Sequence, residues 1–156
     1  MKKNLYQELK DRQQKEFNSF PIGFAFNDQQ FKDQMERLGL TESDTGKIVS
    51  IGGGGFIKKD DVGKFNNIIK KFDMEMKTEI DKDKDGTGFV KDMFLYELGN
   101  HEYIITGSLT DTFSALGLKI DDVIKSSKLK NGLELAKKEY LGEFNKTKNK
   151  MIDYER

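Results

Sequence analysis

An acidic stretch, residues 81–92, has the spacing of a calcium-binding loop. Such loops carry oxygen-bearing side chains at positions 1, 3 and 5, glycine at position 6 and an acid at position 12, between two helices. Position 8 is Gly88, where these loops normally have an apolar residue, and Asp92 at position 12 is shorter than the usual glutamate. The alternative structure is an acidic surface turn, and we expect no cofactor other than calcium. The predicted ligands are Asp81, Asp83, Asp85, Thr87 and Asp92.

The single histidine of the chain, His101, follows Glu97 by four residues. On a helix this spacing places the two side chains on one face, where they can ligate a metal ion or transfer a proton. The chain has no cysteine and no second histidine, so a typical zinc site cannot be built, and no serine lies on a recognisable nucleophile elbow. We therefore expect no enzymatic activity and interpret the group as a polar junction at a helix end, formed by Glu97, Asn100, His101 and Glu102.

Four successive glycines, residues 52–55, offer backbone amides that can bind an anion. The run lacks the Gly-Lys-Ser/Thr ending of a P-loop, and strand-like residues follow it instead of a helix. A hairpin turn is the better interpretation, because glycine adopts positive φ and allows another part of the chain to approach closely.

Lysines dominate the C-terminal part of the chain. Residues 125–150 contain eight lysines and three glutamates, whereas the whole chain has 27 basic and 27 acidic side chains and a formal net charge of +0. A neutral molecule has no general attraction for nucleic acid or membranes, so we expect no membrane partner, and binding of nucleic acid only through a partner protein or the basic C-terminal helix. A solvated helix face is the alternative to a binding surface. The predicted interaction surface comprises Lys128, Lys130, Lys137, Lys138, Lys146 and Lys148.

Hydrophobic periodicity predicts the elements that position these residues. A period of 3.6 indicates an N-terminal amphipathic helix over residues 1–18, further helices at about 28–38, 61–80, 90–100, 110–116 and 121–126, and a long C-terminal helix over 131–156 whose last turns fray. Alternating or β-prone residues predict short strands within 19–26, 47–51, 56–59 and 103–106. The predicted fold is α+β, a single compact domain in which a small antiparallel sheet packs against several helices.

The composition agrees with a small intracellular protein. A chain of 156 residues forms one domain by default, and its 12 phenylalanines and five tyrosines supply an aromatic core. Without cysteine there are no disulfides, and no apolar run is long enough to span a bilayer. We predict a cytoplasmic location.

Three strings follow one another in this sequence: residues 24–27 with Gln30 and Phe31, residues 53–59, and residues 96–103. Their order resembles that of a family of small uncharacterised proteins carried by phages, plasmids and conjugative elements, with a YELxNHEY-type motif, and the similarity extends over residues 20–135. The resemblance implies a compact accessory protein of a mobile genetic element and transfers no catalytic residues. The calcium-like loop does not belong to the family's pattern.

From the absent catalytic set, the local charge and the resemblance, we expect a non-enzymatic protein that binds a host or defence protein. One such role is inhibition of a host defence nuclease in the manner of an anti-CRISPR protein. The alternatives are a calcium-binding module that uses residues 81–92 and a nucleic-acid-binding protein that uses the basic C-terminal helix.

Overall fold

A computed structural model describes residues 3–103 and 107–154, with side chains up to residue 150. The described residues form seven α-helices and three strands, which confirms the α+β class with a small antiparallel sheet. The helices are α1 (Leu5–Ser19), α2 (Asp28–Arg37), α3 (Val62–Lys82), α4 (Phe89–Asn100), α5 (Thr110–Ala115), α6 (Ile120–Lys125) and α7 (Ser127–Tyr154). The strands are β1 (Gly23–Phe24), β2 (Ile48–Gly52) and β3 (Gly55–Lys58), and 3-10 turns occupy Thr45–Lys47 and Lys59–Asp61.

Backbone contacts divide the chain into two compact units. Unit 1 comprises Met1–Asp11 and Met76–Arg156, and unit 2 comprises Arg12–Glu75. The division falls within α1 and within α3, so neither boundary coincides with a loop. The single-domain organisation inferred from chain length stays a prediction.

Unit 2 contains the sheet, in which β3 lies between β1 and β2 and is antiparallel to both. β2 and β3 form the predicted hairpin around the glycine run, with Val49 opposite Ile57. Residues from α2 pack on one face of the sheet, where Met35, Leu38 and Phe56 form a small core. Ile57 is also buried, although its side chain lies on the opposite face from Phe56.

The start of α2 is the one predicted from the sequence. The Asn27 side chain accepts a hydrogen bond from the Gln30 amide at 2.8 Å, and the Gln30 side chain accepts one from the Phe26 amide at 2.9 Å. Because the Phe26 amide donates to a side chain, β1 ends at Phe24 and is shorter than predicted.

Unit 1 is built around α4, whose residues Val90, Met93, Phe94 and Leu98 are fully buried. They pack with residues of α1, α5, α6 and α7 in one core. α7 approaches the start of α4 closely at Gly132, because a Cβ there would lie 2.9 Å from the Gly86 carbonyl oxygen. Glycine is therefore required at the crossing of these two elements.

Two sequence predictions differ from the structure of unit 1. A strand was predicted over 103–106, but Tyr103 has helical backbone geometry and its carbonyl accepts a hydrogen bond from Gly107 at 2.8 Å. The prediction is wrong at Tyr103, and residues 104–106 lie outside the described residues. α7 begins four residues before the predicted start, because the Ser126 side chain accepts a hydrogen bond from the Leu129 amide at 3.2 Å and caps the helix.

Candidate functional site

The carboxylate of Glu97 lies in the interior of unit 1 and is only 5% exposed. The Tyr6 hydroxyl of α1 donates to Glu97 Oε1 at 2.7 Å. On α4 itself, His101 Nε2 lies 3.1 Å from Glu97 Oε2, and the Asn100 amide donates to the same oxygen at 3.4 Å. The Thr112 hydroxyl of α5 donates to the Glu97 carbonyl at 3.4 Å. Glu97 therefore connects three helices through polar contacts.

Tyr6 is held in its neutral form within this group. Burial raises the pKa of the Tyr6 hydroxyl far above its ordinary value, and the hydrogen bond to Glu97 and its negative charge raise the pKa further. The Tyr6 ring is also enclosed by aromatic rings, with centroids 6.0 Å from Phe89 and 5.5 Å from Tyr96. Tyr6 thus serves as a hydrogen-bond donor to a buried carboxylate.

The structure brings together three of the four residues of the predicted junction. Glu102 does not join them: its side chain is exposed, and its backbone has a positive φ of 52°. Tyr6 was missed as a member, because the amphipathic pattern of the N-terminal helix does not show which distant carboxylate its hydroxyl meets. A tyrosine beside the apolar stripe of an amphipathic helix was the available signal, since a buried hydroxyl usually finds an acceptor.

Asp83 is the central residue of the acidic loop. Its carboxylate accepts hydrogen bonds from the backbone amides of Gly86 at 3.0 Å, Gly88 at 3.1 Å and Val90 at 2.9 Å. These bonds close the loop and satisfy amides at the start of α4. The Asp85 carboxylate accepts from the Thr87 amide and hydroxyl, which lowers the pKa of Asp85.

The other predicted calcium ligands point elsewhere. Asp81 belongs to the last turn of α3, and Asp92 accepts a hydrogen bond from the Leu5 amide at 2.9 Å, at the start of α1. Within the part of the chain that the structure describes, no three acidic or histidine side chains form a group that could hold a metal ion. The geometry favours the alternative of a structural turn, and calcium binding stays a prediction.

The lysines of the predicted interaction surface fall into two groups along α7. Lys128 donates to the Ile80 carbonyl at 2.9 Å, and Lys137 pairs with Glu134 at 3.6 Å, so these two contact unit 1 itself. Four others are exposed and have no ion pair among the described side chains: Lys130, Lys138, Lys146 and Lys148. From residue 141 to residue 150 every side chain of α7 is exposed.

An apolar groove of about 380 Å³ lies beside α7 in unit 1. Leu109 and Phe113 of the α5 segment, Val123 of α6 and Leu133 of α7 form its apolar lining, and Lys130 is the charged residue that lines it. Ile120 and Ile124 stand at the groove with exposures of 60% and 57%. The sequence did not indicate this groove, because helical periodicity does not show which apolar residues stay uncovered.

Unit 2 exposes an aromatic surface beside the glycine run, formed by Phe24 and Phe26. Phe26 is 78% exposed and Phe24 is 47% exposed. The rings lie over the glycine run: a Cβ at Gly54 would be 2.6 Å from a ring carbon of Phe26, and one at Gly55 would be 3.1 Å from a ring carbon of Phe24. The run therefore serves both as a hairpin turn, with Gly54 at φ 78°, and as a platform for two rings.

Residues 5–139 match the model of DUF7659, which is described as a family of unknown function. The match includes the polar junction, the glycine run and the apolar groove, and it ends before the exposed part of α7. No curated protein and no solved structure matches the chain significantly. Among the described residues, no helix has both the length and the apolar character required to cross a membrane.

Proposed function

We propose that this chain, which belongs to the family of unknown function DUF7659, is a non-enzymatic protein that acts by binding another protein. The observation that carries the proposal is the aromatic surface of unit 2, where Phe26 is 78% exposed beside Phe24. Large aromatic side chains dominate the binding energy of protein interfaces, whereas a monomer gains nothing from leaving them in water.

The rigidity of this surface supports the proposal. Phe24 lies in β1 opposite Gly55 of β3, and Phe26 lies over Gly54. The Phe26 amide is held by the Gln30 side chain at 2.9 Å, next to the cap of α2. These contacts hold the backbone at both rings, so a partner that covers them has little backbone freedom to remove and more of the burial energy becomes binding energy.

Photocrosslinking tests the proposed surface. A photoreactive phenylalanine analogue at position 26 is expected to give one major adduct with a specific protein, and the same analogue at Met74, which is 63% exposed in the same unit, is expected to give none. The adduct protein, once identified, should bind Phe26→Ser at least about 10-fold more weakly than the unmodified chain. Equal affinity for both chains would refute the role of the surface, and turnover of a small substrate by the purified chain would refute a non-enzymatic function.

The finer proposal is that the partner is a host or defence protein met by a mobile genetic element, such as a nuclease of an immune system. Its support is the resemblance of residues 24–31, 53–59 and 96–103 to proteins carried by such elements. A stoichiometric excess of the chain is expected to suppress target cleavage by a nuclease that it binds, and Phe26→Ser is expected to suppress cleavage less. Binding without any effect on cleavage would separate the protein-binding function from nuclease inhibition.

Nucleic-acid binding is a second candidate, favoured by the exposed lysines of α7. Four of them span about 27 Å along the helix: Lys130, Lys138, Lys146 and Lys148. This length is comparable to the distance covered by several successive phosphates of a nucleic-acid backbone. Binding through them should weaken steeply as salt concentration rises, because each phosphate contact releases a counterion. A fluorescent oligonucleotide titrated at two salt concentrations measures this, and salt-independent or absent binding would eliminate the candidate.

A further inference from the structure

Leu141 and Phe144 lie on the same side of α7 as the residues of that helix that line the apolar groove. Leu141 and Phe144 are 38% and 43% exposed, beyond the last part of α7 that contributes to the core. Lys130 and Leu133 line the groove about 16 Å earlier along the helix axis. Unit 1 therefore carries both an uncovered apolar groove and uncovered apolar side chains that project from the same element.

Five residues of α7 have the same sequence of intervals whether the helix is read forwards or backwards. Lys130, Leu133, Lys137, Leu141 and Phe144 follow one another at intervals of three, four, four and three residues. Such intervals place all five on one face of an α-helix, here called the α7 stripe. Consider a second α7 that runs antiparallel to the first, with the two Lys137 residues at the same height along the axis. Phe144 of one helix then lies at the height of Lys130 of the other, and Leu141 lies at the height of Leu133.

We propose that two copies of this chain associate through antiparallel α7 stripes, with a two-fold axis at Lys137. Each copy places its Leu141 and Phe144 in the groove of the other, against Leu133 and the exposed Ile120 and Ile124. A two-fold interface is self-complementary, so residue i of one copy meets residue j of the other and the reverse contact is also made. The symmetric spacing of the stripe satisfies this condition.

Charges beside the stripe are complementary in this arrangement. Glu134 and Lys138 lie on the same side of the α7 stripe. When two copies of the helix pack antiparallel about a two-fold axis, this side of one helix lies next to the same side of the other. Reversal about Lys137 brings Glu134 of one copy to within about 3 Å, along the axis, of Lys138 of the other, and the symmetry repeats the pair. Each Lys137 near the axis is balanced by Glu134 of its own chain at 3.6 Å.

Sedimentation equilibrium of the full chain measures the association directly. Between about 10 µM and about 1 mM, the apparent mass is expected to rise from the chain mass of 18.0 kDa toward twice that value. Phe144→Asp should remain at the chain mass, because it places a charge in the groove, and folding is unaffected since Phe144 is exposed. Asn149→Asp adds the same charge on another side of the exposed segment and should associate as the unmodified chain does.

Two further variants test the antiparallel register. Glu134→Lys and Lys138→Glu are each expected to weaken association about 3-fold or more, and the double variant should recover to within about 2-fold. Since the chain has no cysteine, Lys137→Cys should crosslink with itself under diamide, whereas Asn149→Cys should not. The proposal is overturned by a constant mass of 18.0 kDa for the unmodified chain, by undiminished association of Phe144→Asp, or by crosslinking at position 149 in place of 137.

Discussion

At the scale of single residues, Glu97 is the side chain whose burial needs the most explanation. A carboxylate in an apolar core is costly unless hydrogen-bond donors surround it. Tyr6, Asn100 and His101 supply these donors, and Tyr6 comes from a helix 91 residues away in the chain. The group stabilises unit 1 by satisfying a polar atom that the packing of α4 has forced into the core.

Tyr6→Phe removes the shortest of these hydrogen bonds without changing the packing volume. We expect the free energy of unfolding to fall by roughly 1–3 kcal/mol at neutral pH, because Glu97 Oε1 then loses its donor. Urea unfolding followed by circular dichroism measures the change. Tyr96→Phe, in a ring that packs on Tyr6 but has no hydrogen bond among the described contacts, should cost less than half as much; equal losses would contradict the assignment.

The same hydroxyl predicts a dependence of stability on alkaline pH. The pKa of Tyr6 is raised in the folded chain, so above the ordinary tyrosine pKa of 10.0 the unfolded chain releases this proton while the folded chain retains it. The folded state then binds more protons, and stability falls as pH rises, by up to about 1.4 kcal/mol per pH unit.

Comparison of two chains isolates this contribution. The unmodified chain should lose stability more steeply than Tyr6→Phe between pH 9 and pH 11 in urea unfolding, and the two should run parallel between pH 6 and pH 8. Parallel curves over the whole range would show that Tyr6 titrates normally in the folded chain.

At the scale of elements, the acidic loop shows how one carboxylate can organise a connection between helices. The Asp83 carboxylate accepts hydrogen bonds from three backbone amides. These amides, in the loop and at the start of α4, would otherwise have no acceptor. Asp81, in α3, and Asp92, directed at α1, belong to different local structures. The sequence spacing of a calcium loop is thus compatible with separate structural roles for its acids.

A pair of substitutions distinguishes the structural turn from a calcium site. Asp83→Ala is expected to cost roughly 1–3 kcal/mol of unfolding free energy without added calcium, since three amides lose their acceptor. Asp81→Ala should cost less than about 0.5 kcal/mol, as is usual for surface substitutions. Calorimetry with millimolar calcium completes the test: a calcium site would give binding heat that both variants abolish, and a structural turn would give none.

At the scale of the whole molecule, the ten exposed residues at 141–150 are the part of α7 that the core does not require. A helix gains most of its stability from packing, so a segment without a buried side chain contributes little to folding. The family match also ends at residue 139, just before this segment.

Truncation tests this division of α7. A chain that ends at residue 140 should retain its free energy of unfolding to within about 1 kcal/mol at low concentration, because the side chains described beyond that residue, 141–150, are all exposed. A chain that ends at residue 132 loses the buried Leu133 and Ala136 and should lose several kcal/mol. Similar losses for both truncations, in urea unfolding at about 5 µM, would mean that the segment after residue 140 stabilises the folded chain.

The sequence by itself determined the elements whose signals are local. The cap of α2 joins Asn27 and Gln30, the hairpin turn is made by consecutive glycines, and the apolar period of α3 continues over its whole length, so neighbouring residues contain the necessary information. The α+β class follows from these elements, and membership of the family follows from the sequence match.

Only the tertiary structure decided which distant groups meet and which surfaces stay open. Tyr6 meets Glu97 across 91 residues, and Asp92 meets the Leu5 amide across 87, so no local pattern could pair them. Periodicity describes the pattern of apolar side chains but does not show what covers them, so the sequence could not show that Phe26 and Ile120 are exposed. The surfaces proposed for binding exist because packing in each unit ends before all apolar side chains are covered.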